Sequence, residues 1–214
     1  MLRMGVTLFV VAAVMAAALS GVYLLTKDQI AAQEEAAVSE AVGAVMPAGT
    51  ADIRGFPVEA DTVDYYVGYD EAGNTVGYAR ICDQSGYSST LQIMVGVDTH
   101  GVITGTSVLH QQETPGLGER IEEVKAEGTL WSAIGGLFSD EDGGEAGPPP
   151  RPWFQQQYLG CEADEVHLGE SADPQTSTVE AITGATITSR AFTTAVREDM
   201  GEFLDKVSAG QIEQ

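Results

Sequence analysis

The chain has 214 residues, enough for one well-cored domain with appendages and short of two full ones. Its formal charge of -22, with only ten Lys and Arg, leaves no basic footprint for nucleic acid and no charge-driven docking on anionic lipid. The acids read as a solvated, self-repelling surface, with local steering of cations or of a basic partner as the alternative.

The stretch from Met4 to Leu25, "MGVTLFVVAAVMAAALSGVYLL", carries no charge and is bracketed by Arg3 and Lys27. At about 1.5 Å per residue it is long enough for a hydrocarbon core of roughly 30 Å. The alanines from Ala12 to Ala18 imitate a signal-peptide cleavage site, but the apolar run continues past them. Residues 1–27 therefore read as an uncleaved anchor. Arg3 before the span and acids soon after Lys27 lean the N-terminus inward, with the rest outside the cytoplasm. Residues 28–47 read as a stalk helix, with Ile30, Val38, Val42 and Val45 at near-helical spacing and Pro47 ending it. In an oxidising space Cys82 and Cys161 would form a disulfide or remain two separate buried thiols. The three scattered histidines and the absence of a CxxC pair argue against a protein metal site.

Residues 48–214 read as one extracytoplasmic domain of α+β class, an antiparallel sheet with flanking helices. "TVDYYVGYDEAGNTVGYARI" gives two strands around "EAGN", and "STLQIMVGVDTHGVITGTSVL" two more around "DTHG". "HQQETPGLGERIEEVKAEG" is a Pro/Gly loop feeding an acidic helical segment. Residues 126–152 are a Gly/Pro-rich acidic insertion, read as a flexible loop. Within it "LWSAIGGLF" is a short turn on the core or a partner-docking patch. The last helix runs from about Arg190 to Val207, with Phe192, Val196, Met200, Phe203 and Val207 on one face.

Thr188 or Ser189 is a natural N-cap for that helix, and "TVEAIT" before it alternates as a strand does. Thr183, Gly184, Ala185 and Thr186 thus form a strand-to-helix joint. A helix N-terminus offers free N–H donors and positive partial charge to an anion such as phosphate, and glycine lets backbone approach a ligand. An ordinary capped turn explains the same spacing.

"VEAITGATITS" resembles the acceptor motif of the FMN-binding domains in RnfG and NqrC, membrane redox subunits that carry flavin covalently. The family pattern is Asp-x-x-Ser/Thr-Gly-Ala-Thr. Here Glu180 stands in the Asp place, followed by Thr183, Gly184, Ala185 and Thr186. The resemblance implies FMN esterified through its phosphate to Thr186 by a separate flavin transferase. "HQQETPGLGERI" is similar to the loop these domains set against the flavin, with Glu113, Thr114, Leu117 and Gly118 as implied contacts. "GYSSTLQIMVGVD" is similar to the strand before that loop.

The resemblance implies an electron-relay subunit, without its own acid–base centre, of a membrane Rnf-type complex coupling ferredoxin/NAD electron flow to ion translocation. Other membrane subunits of that complex are the implied partners, and the cytoplasmic (inner) membrane the implied location. The alternatives are an NqrC-type subunit of a sodium-pumping quinone reductase and a flavin-binding sensory or regulatory module.

Overall fold

In the computed structural model, which describes residues 2–59, 62–124 and 151–210, the apolar N-terminal run and the following segment form one helix, α1 (Leu2–Val45). Among the described residues it is the one helix long and apolar enough to cross a membrane, with a mean hydropathy of 2.4 over its most apolar part. The chain divides into two units, Met1–Glu40 and Ala41–Gln214. In the first, every described side chain is exposed except the half-buried Val38. The second holds the sheet, the remaining helices and the last turn of α1.

Period-two alternation produces a five-stranded antiparallel meander: β1 (Asp52–Glu59), β2 (Thr62–Tyr69), β3 (Thr75–Ser85), β4 (Thr90–Asp98) and β5 (Ile103–His110), in that order. The two hairpins expected around "EAGN" and "DTHG" are present. An aspartate closes each turn: Asp70 accepts from the Ala72 and Asn74 N–H groups, and Asp98 from those of His100 and Val102. The sequence reading missed β1. Its exposed Asp52 and Arg54, and Pro57 at a register shift, belong to an edge strand rather than to an alternating one.

One face of the sheet, with Val67, Leu91, Ile93, Val95 and Val97 fully buried, packs under the C-terminal helices. These are α2 (Trp153–Gln156), α3 (Thr186–Thr194), a π turn (Ala195–Asp199) and α4 (Met200–Ser208). Phe192, Val196, Met200 and Phe203 are buried on the expected face and Val207 is half-buried. The wide turn fits their spacing of four, four, three and four residues. It is tied to β3, where the Arg80 guanidinium donates to the Asp199 carbonyl and the Asp83 N–H to its carboxylate. Phe192 also meets Phe154 edge-on at 5.4 Å and Tyr158 at 4.9 Å.

On the opposite face the segment 41–47 lies against glycines. A Cβ on Gly96 would stand 2.2 Å from the Val45 carbonyl oxygen, and one on Gly105 2.7 Å from Val45 Cα. The Thr104 hydroxyl donates to the Val45 carbonyl at 2.6 Å and Arg151 to that of Ala44 at 3.1 Å, satisfying helix-end acceptors.

Several expectations change. The helix after the Pro/Gly loop is a five-residue 3-10 turn (Gly118–Glu122), and the acidic continuation beyond Val124 lies outside the described residues. So does the 126–152 insertion apart from Arg151 and Pro152, with its "LWSAIGGLF" stretch. The "TVEAIT" strand shortens to β7 (Thr178–Glu180), which pairs in parallel with β6 (His167–Gly169). Cys82 and Cys161 are two free buried thiols, and burial pushes the pKa of each up.

Candidate functional site

Three segments distant in sequence meet at one corner: the turn 86–89 between β3 and β4, the loop 113–118, and the start of α3. The turn closes through Gly86 N–H to the Ser89 carbonyl at 2.8 Å. In the loop, Leu117 N–H donates back to the Thr114 carbonyl at 3.1 Å. Before α3, Ala185 N–H donates to the Ile182 carbonyl at 2.9 Å, a tight turn that puts Gly184 at φ 84°, where other residues are strained.

α3 starts four residues earlier than the sequence reading placed it, with Ala185 at its N-cap and no side-chain cap. Thr188 and Ser189, the expected caps, lie inside the helix and are buried, because each hydroxyl has a stronger tertiary use. Ser189 Oγ accepts from Ile182 N–H at 3.0 Å and donates to the Ala185 carbonyl at 3.0 Å, locking the joint from within. Thr188 reaches across the corner and donates to Glu113 Oε2.

The Glu113 carboxylate is the hub. Its residue is 5% exposed, and Oε1 accepts from the N–H groups of Ser88 (2.9 Å) and Ser89 (3.1 Å). Oε2 accepts from the Tyr87 N–H (3.2 Å) besides the Thr188 hydroxyl. Burial pushes the Glu113 pKa up, but the Thr188 hydroxyl and the three backbone donors outweigh it and hold the carboxyl below the ordinary glutamate range. The charge is committed to these donors, so Glu113 shapes the pocket from beneath.

The corner encloses an open cavity of about 450 Å³. Glu113, Thr114, Leu117, Gly118, Gly184, Ala185 and Thr186 line it, and of the expected site residues Thr183 does not. Glu180, in the motif's acidic place, is exposed at the end of β7 and lies outside the lining. Tyr87, Ile187 and Thr188 also line the cavity and were missed as site residues. Ile187 carried a signal: it is a large apolar residue off the helix face marked by Phe192 and Val196, and it is 55% exposed.

These residues fit FMN. The volume falls in the range of small-molecule sites, about 300–1,000 Å³. The uncapped start of α3 suits a phosphate, and Thr186, its first residue, is exposed with its hydroxyl reachable. Leu117 and Ile187 supply apolar wall for a ring. Leu117 Cδ2 would stand 3.2 Å from a Cβ on Gly184, so a larger residue there would crowd the joint.

The profile of the FMN-binding domain family matches residues 86–200, which contain the whole corner, and that of the RnfG N-terminal region matches residues 1–45. The RnfG subunit of the ion-translocating oxidoreductase complex of Methanosarcina acetivorans is 30% identical over 95% of this chain and 93% of its own. The corresponding subunit of the Na(+)-translocating ferredoxin:NAD(+) oxidoreductase complex of Acetobacterium woodii is 30% identical over 91% of this chain and 87% of its own. Among solved structures, NqrC of Shewanella oneidensis is 16% identical over 79% of this chain and 74% of its own, with a TM-score of 0.45. The matches at both ends of the chain and the near full-length relatives agree: this chain belongs to the RnfG family of FMN-binding domain proteins.

Proposed function

We propose that the corner cavity holds FMN esterified through its phosphate to the Thr186 hydroxyl, and that the chain is an electron-relay subunit of an Rnf-type complex. In that complex, electron flow between ferredoxin and NAD is coupled to ion translocation. α1 anchors the chain among the other membrane subunits, with the Ala41–Gln214 unit on the extracytoplasmic side. A separate flavin transferase makes the ester. The observation that carries the reading is the exposed Thr186 at the first position of an uncapped helix, inside a cavity with apolar walls.

Bound FMN supplies one- and two-electron exchange, the chemistry no side chain here offers. The protein holds and orients. The first-turn N–H groups of α3 face the phosphate, and Gly184 keeps the backbone close to it. The Ser189 bonds keep the joint from opening. The Thr188 and backbone donors absorb the Glu113 charge, which would otherwise repel the phosphate. A tether also prevents cofactor loss where free FMN is scarce.

The test is to express the full chain with a flavin transferase and inspect a denaturing gel for flavin fluorescence. The wild-type band is expected to fluoresce and Thr186→Val to be dark. A dark wild-type band, or an equally bright variant, overturns the attachment site. Co-purification of the neighbouring membrane subunits tests the assignment to the complex.

A further inference from the structure

In the Ala41–Gln214 unit, the large apolar or aromatic side chains exposed among the described residues are few, and they are concentrated. Tyr87 (68% exposed), Leu117 and Ile187 all border the cavity, while Ile53 and Val124 lie elsewhere. Leaving three such groups in water around one concave site is unfavourable unless something planar or apolar covers them.

Their positions differ. Leu117 lies against Gly184. The Tyr87 backbone lies on the Thr188 side, since its N–H and the Thr188 hydroxyl donate to the same Glu113 oxygen. The two therefore bracket the start of α3, where Thr186 and Ile187 stand. Tyr87 is also the one aromatic lining the cavity among the described residues. Its turn is held stiffly from behind: three consecutive N–H groups, from Tyr87 to Ser89, donate to the Glu113 carboxylate. A Cβ on Gly86 would stand 2.5 Å from Glu113 Oε1, so that turn admits only glycine there. An exposed ring on a fixed turn at the lip of an apolar cavity is a stacking platform for another flat ring.

We propose that Tyr87 is the ring-seating residue of this site, its phenol lying on the flavin ring system held at Thr186; this rests on the FMN reading above. A phenol in van der Waals contact with a flavin leaves an optical mark. On excitation, Tyr87 lends one electron to the ring and recovers it, so emission is quenched and no net chemistry follows. Indole does the same, whereas a phenyl ring or an aliphatic chain is too hard to oxidise.

The experiment uses the full chain co-expressed with a flavin transferase, as wild type, Tyr87→Phe, Tyr87→Leu and Tyr87→Trp. Covalent flavin is quantified by absorbance after unfolding, and native emission is expressed relative to the same unfolded sample. All four chains are expected to load flavin equally, because Thr186 and the Glu113 hub are intact. Wild type and Tyr87→Trp are expected to be strongly quenched, with Tyr87→Phe and Tyr87→Leu brighter by several-fold. Equal native emission from flavin-loaded wild type and Tyr87→Phe overturns the role of Tyr87 alone, as does a Phe variant that fails to load. A wild-type chain without covalent flavin overturns the underlying cofactor reading instead.

Discussion

The two places where backbone crowds most tightly in the Ala41–Gln214 unit are both built on glycine, yet they bury opposite chemistry. Against the segment 41–47, Gly96 and Gly105 clear room for the backbone and Cβ of Val45. At the cavity, Gly86 and Gly118 clear room for the Glu113 carboxylate, and a Cβ on Gly118 would also stand 2.8 Å from Thr188 Oγ1. The first contact is set by shape, with one hydroxyl satisfying the helix end. The second is a charged hub whose donors come from two further segments. Packing fixes the fold on one face of the sheet, and a buried charge fixes the site at its corner.

Removing the hub gives the largest expected effect. Glu113→Ala leaves three backbone N–H groups and a buried hydroxyl without their acceptor, at about 3 kcal/mol in urea unfolding. Flavin loading is expected to fall with it, since the three segments lose their common tie. Gly96→Ala, on the other face, is expected to cost about 2 kcal/mol by overpacking against Val45 while leaving loading unchanged. If Gly96→Ala abolished loading and Glu113→Ala did not, the division of labour between the two regions would be reversed.

The two regions also differed in how legible they were. Alternation and helical spacing revealed β2 to β5 and the buried face of the last helix, because those patterns are local. The edge strand β1 escaped because exposed charges and Pro57 erase the alternation. At the site, the Thr-Gly-Ala-Thr joint and the "ETPGLG" loop stood out, but the roles of the hydroxyls did not. A serine or threonine near a helix start reads as a cap by default. Only the tertiary arrangement reveals that Thr188 serves a carboxylate 75 positions earlier and that Ser189 locks the preceding turn. Tyr87 falls within a stretch that resembles a family strand and carries no periodic signal of its own.

A smaller effect isolates the charge in the hub. Thr188→Val removes one donor to the carboxylate and is expected to cost about 1.5 kcal/mol. The pH dependence separates charge from shape. The Glu113 pKa is held below its unfolded value of about 4.3, so its stabilisation is fully present above that pH. It is lost as pH falls through the lower folded value. The stability gap between wild type and Glu113→Gln is therefore expected to be flat at neutral pH and to close on acidification below the ordinary glutamate value. A gap that widens in acid would mean that the protonated carboxyl is the stabilising form.

The smallest stability effect belongs to the residue with the largest functional one. Thr186 is exposed at the first position of α3, and its side chain makes no hydrogen bond among the described residues. Thr186→Val is expected to change the unfolding free energy of the flavin-free chain by no more than about 0.5 kcal/mol. Thr188→Val, two residues on, changes stability without removing the attachment hydroxyl. The pair thus pulls apart on two measurements, urea unfolding and covalent fluorescence. If Thr186→Val destabilised as much as Thr188→Val, Thr186 would belong to the framework of the corner, and the free hydroxyl on which attachment depends would have to be sought elsewhere on the joint.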